Sequence, residues 1–138
     1  MTSDDDAGMG ANVRWTTVCI DCRDAESLAG FYCRLLGWQI TAGDGQGWVQ
    51  ARDPNGGVGL NFQSEEWYRP PTWPEQLDEQ AKMLHFEILV DDLEAAVSHA
   101  VSSGGSVAHH QPPDRDESRT RVMLDPEGHP FCLFVAGE

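Results

Sequence analysis

Long hydrophobic runs are missing from this sequence. None approaches the ~18 residues of a membrane-spanning helix, so no helical membrane span is expected. Basic residues are scarce: nine Lys and Arg stand against 23 Asp and Glu, a net charge of −14. Such a field repels polyanions, which excludes nucleic acid and anionic membrane surfaces as partners and is compatible with a cationic ligand. Cysteine is also sparse. Cys19, Cys22, Cys33 and Cys132 do not make a disulfide framework and fit reduced thiols. Cys19 and Cys22 form a C-x-x-C, but no second one exists to complete a zinc ribbon. Residues three apart on a strand point to opposite faces, which argues against a redox pair as well. There is no G-x-S-x-G elbow, no phosphate-binding glycine loop and no dinucleotide fingerprint. Residues 1–12 carry Asp4-Asp5-Asp6 but neither a basic nor an apolar leader region. They are expected to form a disordered tail on a cytoplasmic protein.

What is present is an internal repeat. Thr16-Thr17-Val18-Cys19-Ile20-Asp21-Cys22-Arg23-Asp24 aligns with Leu84-His85-Phe86-Glu87-Ile88-Leu89-Val90-Asp91-Asp92, and Asp53-Pro54-Asn55-Gly56 aligns with Asp125-Pro126-Glu127-Gly128. Each copy reads as strand, helix and three strands. In the first, an alternating strand over 15–21 leads to Asp24 as a helix N-cap. Leu28, Phe31, Tyr32 and Leu35 then form an amphipathic stripe, and Gly37 stops the helix. Strands are expected at 38–42, 48–52 and 58–63. In the second, a strand over 83–90 precedes a helix capped by Asp91 or Asp92, with Glu94 in capping-box position relative to Asp91. Gly104-Gly105 ends that helix, and strands follow at 106–109, 120–124 and 130–135. The expected architecture is α+β, with tandem βαβββ modules over 13–63 and 83–138 forming a curved mixed sheet around a cleft.

Alternation assigns the faces. Thr16, Val18, Ile20 and Cys22 face the first helix, leaving Trp15, Thr17, Cys19 and Asp21 opposite. Leu84, Phe86, Ile88 and Val90 face the second, leaving Met83, His85, Glu87 and Leu89 opposite. Equivalent polar-lined faces in two repeats make the cleft the default ligand site. The segment 64–82 is an aromatic and proline-rich linker, with Trp67-Tyr68-Arg69-Pro70-Pro71 and Trp73-Pro74. Its aromatics either cap the cleft, pack on a partner subunit or cover the seam between modules. His109-His110 reads as a solvent-exposed pair, His99 as lying on or beside the solvent face, and His129 as a structural turn residue.

The segment from Asp24 through Phe31-Tyr32 to Leu35-Leu36-Gly37-Trp38, with His85–Asp92 and Asp125–Leu133, resembles the vicinal oxygen chelate superfamily. That superfamily includes glyoxalase I, bleomycin-resistance proteins and extradiol dioxygenases. The resemblance implies a divalent-metal site built from the lead and last strands of each module. Those positions fall here on Thr17, on Leu60 (or Asn61 with a one-residue register shift), on His85 and on Cys132. Only His85 is a family-type ligand, whereas a first-row metal normally needs three or more such donors. No cofactor is therefore expected; if a divalent metal binds, His85 holds it.

The expected function is binding of a small molecule, cationic or aromatic, by a homodimer. Contacts are expected from Trp15, Thr17, Cys19, Trp48, Asn61, Phe62, His85, Cys132 and Phe134. The alternative is a metal-dependent lyase, isomerase or dioxygenase with an atypical ligand set around His85 and Glu87, these two supplying acid–base chemistry.

Overall fold

A computed structural model describes residues 11–137. The tail expected over 1–12 lies, up to residue 10, outside the described residues. The chain runs β1 (Thr17–Cys22), α1 (Ala25–Leu36), β2 (Gln39–Gly43), β3 (Trp48–Arg52) and β4 (Gly59–Ser64). It then repeats the order as β5 (Phe86–Leu89), α2 (Leu93–Ser103), β6 (Ser106–Val107), β7 (Thr120–Leu124) and β8 (Pro130–Phe134). The strands form two four-stranded mixed sheets, β1-β4-β3-β2 and β5-β8-β7-β6. In each, the lead strand pairs in parallel with the last strand. No ladder joins β1 to β5 among the described residues, so the lead strands are the inner edges of two separate sheets. Among the described residues, no helix is long and apolar enough to cross a membrane.

The helices begin and end where local chemistry dictates. The Asp24 carboxylate accepts the Ser27 backbone N–H at the start of α1, and Gly37 ends it with φ 72°, a backbone state glycine adopts without strain. Asp92, not Asp91, caps α2 and accepts the Ala95 N–H. This shift removes the expected capping box. Glu94 instead accepts a 2.7 Å hydrogen bond from Arg121 on β7.

One core serves both repeats. Leu28, Phe31 and Tyr32 of α1 are packed with Phe62 of the first sheet, Phe131 and Leu133 of the second, and Leu93, Val97 and Ala100 of α2. Tyr32 is the hub: its ring centroid lies 5.8 Å from Phe62, 5.7 Å from Phe86 and 6.2 Å from Phe131. Such aromatic pairs each contribute about 0.5–1.5 kcal/mol beyond the area they bury. Gly105 permits the close approach of the two repeats, because a Cβ there would sit 3.2 Å from the Phe31 ring and 3.0 Å from the Leu124 carbonyl. The helices are also tied end to end. Arg34 donates twice to the Ser103 carbonyl, and the His99 imidazole meets the Leu35 carbonyl at 3.0 Å.

Strand alternation sorts β4 differently from part of the sequence expectation. Leu60 is 7% exposed and Phe62 fully buried, and both face the core. Phe62, expected to contact ligand, does not reach the cleft. Asn61, between them, takes the opposite face, so the one-residue register shift applies.

Candidate functional site

The cavity of interest lies between the inner edges of the sheets. It encloses about 450 Å³ and is lined from β1 by Cys19 and Asp21 and from the second repeat by His85, Phe86 and His129. The linker supplies the remaining wall, including Glu65, Trp67, Tyr68, Arg69, Lys82 and Met83. Val18 and Ile20 line the cavity too, because β1 is an edge strand and meets it along that edge. Alternation buries Ile20 and Cys22 against α1 and turns Cys19 and Asp21 outward. Equivalent alternation exposes Glu87 and Leu89 on β5. His85 precedes β5 and places Nε2 3.3 Å from Glu87 Oε2.

Of the expected site residues, Cys19 and His85 line this cavity. Thr17 and Asn61 meet on the helix-free face of the first sheet, where Asn61 Nδ2 donates to Thr17 Oγ1 at 3.1 Å. Asn61 Oδ1 is buried with no hydrogen-bond partner among the described residues. Trp48, opposite in orientation to the buried Val49, is half-buried on that same face. Trp15 lies before β1, 73% exposed, with its indole N–H donating to the Thr17 carbonyl. Cys132 and Phe134 lie along the helix-free face of the second sheet. Cys132 is covered there by Trp73, which packs with Ala108 and Val122. The Trp73 indole N–H donates to the His110 carbonyl at 2.9 Å, and Lys82 Nζ stands 5.0 Å from its ring centroid. His110 is therefore half-buried against Trp73, a departure from the solvent-exposed pair expected with His109.

The linker does two jobs. Trp73 covers the second sheet, while Tyr68 closes the seam by donating to the Glu127 carbonyl at 2.8 Å. Sequence reasoning missed Lys82 and His129 as wall residues, whereas Trp67 and Tyr68 belong to the linker aromatics for which capping the cleft was one of the expected roles. Asp21 had a signal, since alternation places it on the same face as Cys19.

Three of the thiols sit where their surroundings disfavour the thiolate. Burial, then the Asp21 and Glu65 carboxylates, raises the Cys19 thiol. Burial pushes Cys22 up to about 12, helped by surrounding carboxylates. Burial likewise raises Cys132, with Arg115 opposing and Glu87 adding to the shift. Thiolate is the reactive and metal-ligating form, so these environments disfavour both roles.

The divalent metal that the resemblance implies does not fit this donor set. Its four positions carry Thr17 and Asn61 bonded to each other, His85 beside Glu87, and a protonated thiol under Trp73. Among the described residues, no three His, Cys, Asp or Glu side chains form a metal-holding group.

A family model described as a glyoxalase-like domain matches residues 17–134. Among solved structures, the chain is similar to a glyoxalase/bleomycin resistance protein/dioxygenase family enzyme from Burkholderia phytofirmans PsJN. The two share 17% identity over 87% of this chain and 96% of the other, with TM-score 0.62. It is also similar to TnmS3, an antibiotic binding protein from Streptomyces sp. CB03234, with 18% identity, coverage of 92% and 98%, and TM-score 0.59. The Oxidase ChaP-H2 is a third, with 17% identity, coverage of 92% and 96%, and TM-score 0.56. At these identities the likeness is one of fold, and the same fold carries a binding protein and an oxidase. No curated protein sequence matches. With the family match spanning both repeats, the chain belongs to the glyoxalase-like domain family, within the vicinal oxygen chelate superfamily.

Proposed function

We propose that this protein binds a small aromatic or cationic molecule in the seam cavity, without a catalytic metal. The observation that carries this reading is the cavity, about 450 Å³ and bounded by both lead strands. That size lies within the range of small-molecule sites. Trp67 and Met83 line it while remaining 84% and 87% exposed. An indole face and a polarizable thioether suit a flat ring. Asp21 and Glu65 offer carboxylates to a cation beside that ring, on a wall that also carries Arg69 and Lys82, the latter paired with Glu75. The fold shared with an antibiotic binding protein supports the same direction, and the poor donor set supports the absence of metal chemistry. The functional form is read as a homodimer, which sedimentation at micromolar concentration checks.

The test is a thermal-shift and tryptophan-fluorescence titration with planar aromatic cations, with and without EDTA. Bound ligand stabilises by mass action, about 2.7 kcal/mol at a concentration of 100 Kd. The expected result is a chelator-insensitive rise in Tm that Trp67→Ala weakens. Stabilisation that EDTA abolishes, or that Trp67→Ala leaves unchanged, overturns the reading.

The His85–Glu87 pair favours a second reading, in which bound substrate exchanges a proton with the imidazole. Turnover lost in His85→Ala while binding persists would select it.

A further inference from the structure

The environment of His129 demands more protons than a neutral imidazole holds. Nδ1 lies 2.9 Å from Asp125 Oδ2 and 3.0 Å from Oδ1, and Nε2 lies 2.8 Å from the Asp21 backbone carbonyl. A backbone carbonyl only accepts. The Asp125 carboxyl also acts as acceptor, because every group directed at it is a donor. These are the Tyr32 hydroxyl at 2.7 Å and the backbone N–H groups of Glu127 at 2.9 Å and His129 at 3.0 Å. A neutral ring has one N–H, so it satisfies one of the two contacts and aims a lone pair at the other; an imidazolium satisfies both.

The contacts also span the molecule. Asp21 belongs to β1 of the first repeat, and Asp125 and His129 to the turn before β8 of the second. We propose that His129 is held as an imidazolium in the folded protein and acts as a proton-dependent staple between the two repeats, at the wall of the seam cavity. Loss of the proton has a defined consequence. If Nδ1–H stays on Asp125, the Nε2 lone pair faces the Asp21 carbonyl. The Tyr68 hydroxyl, 3.2 Å from Nε2 and donating to the Glu127 carbonyl, is the donor placed to turn toward it. Asp21, Tyr68 and His129 all line the cavity, so the exchange alters its wall.

The surroundings agree with this reading. Burial pulls the imidazole down, but the Asp125 carboxylate, the Asp21 carbonyl and the Glu127 carboxylate together hold it above its ordinary value. The other groups here are Tyr32 on α1, Tyr68 on the linker, and Cys22 and Arg23 at the end of β1. Burial and nearby carboxylates raise both tyrosines and Cys22 and keep them neutral, while the Arg23 guanidinium lies 5.6 Å from the Tyr68 ring centroid. The sign follows. A folded pKa above the unfolded value of ~6.5 gives stability fully present below that value. That stability is lost as pH rises through the folded pKa.

The experiment is ¹⁵N-resolved imidazole NMR on the intact wild-type chain across pH 5.5–9.5. The expected result is that both His129 nitrogens carry protons at neutral pH and titrate with a midpoint above ~6.5. The Cys22 amide, which shares a peptide group with the Asp21 carbonyl, is expected to shift with the same midpoint. A neutral tautomer at pH 7, a midpoint at or below the ordinary value, or a Cys22 amide that does not follow it overturns the proposal. In parallel, the Tm advantage of wild type over His129→Asn is expected to shrink as pH rises through that midpoint. An advantage independent of pH also overturns it. Should His129→Asn not fold, the wild-type titration decides alone.

Discussion

Asp53 and Asp125 open equivalent Asp-Pro-Xaa-Gly turns, one before the last strand of each sheet, and their surroundings diverge. Asp53 is half-buried, and its side chain accepts the Asn55 backbone N–H within its own turn. Asp125 has a fully buried side chain that reaches Tyr32 in the other repeat and the imidazole of His129. The residue equivalent to His129 in the first turn is Gly57, with φ 96° and no side chain to offer. The neighbouring Glu127 carries the asymmetry further. Its carboxylate accepts the backbone N–H groups of Arg23 at 2.6 Å and Asp24 at 2.8 Å, at the start of α1. The difference teaches that a duplicated turn was kept as a local device in one repeat and became the joint between repeats in the other.

The most severe way to break that comparison is to remove each aspartate. Asp125→Ala leaves the Tyr32 hydroxyl, two backbone N–H groups and the His129 imidazole without their acceptor. It is expected to cost about 3–5 kcal/mol in denaturant unfolding. Asp53→Ala removes one partly solvated bond and is expected to cost about 0.5–1 kcal/mol. Equal losses would show that the two turns are energetically alike.

A second contrast concerns the helix-free faces, since Trp73 covers Cys132 while Cys19 stands exposed. Trp73→Ala is expected to raise the labelling rate of Cys132 by a thiol reagent about tenfold, equivalent to about 1.4 kcal/mol of lost protection. Cys19 labelling is the internal control. An unchanged Cys132 rate would mean that the linker does not shield the second sheet.

The smallest effect compares the helix starts. Glu127→Gln weakens a carboxylate contact to the N-terminus of α1 and is expected to cost about 0.5–1 kcal/mol. Glu94→Gln weakens an ion pair in which the carboxylate is 74% exposed, and is expected to change stability by less than about 0.5 kcal/mol. Reversal of that order in chemical denaturation would place the stronger helix-start contact within the second repeat.

Much of the fold was legible because local rules govern it. Asp24 and Gly37 mark the ends of α1, and the Leu28, Phe31 and Tyr32 stripe marks its buried face. The outward orientation of Cys19 and Asp21 follows from a period of two. The same alternation groups Phe62 with Leu60, and the structure turns that pair to the core. Other parts of the site depend on where distant segments land. Nothing local tells that Trp73 settles on Cys132, or that the Asp21 carbonyl meets a histidine 108 residues away.

The repeat, the two βαβββ units and the side of each lead strand that faces away from its helix follow from residue order, because hydrogen-bonding period and side-chain polarity act within a few residues. That the cavity opens at the seam, that the linker walls it, and that one of two similar turns carries the joint are outcomes of long-range packing. Those outcomes come from packing two nearly equivalent units around Tyr32, and from the hydrogen-bond demands of groups that this packing buries.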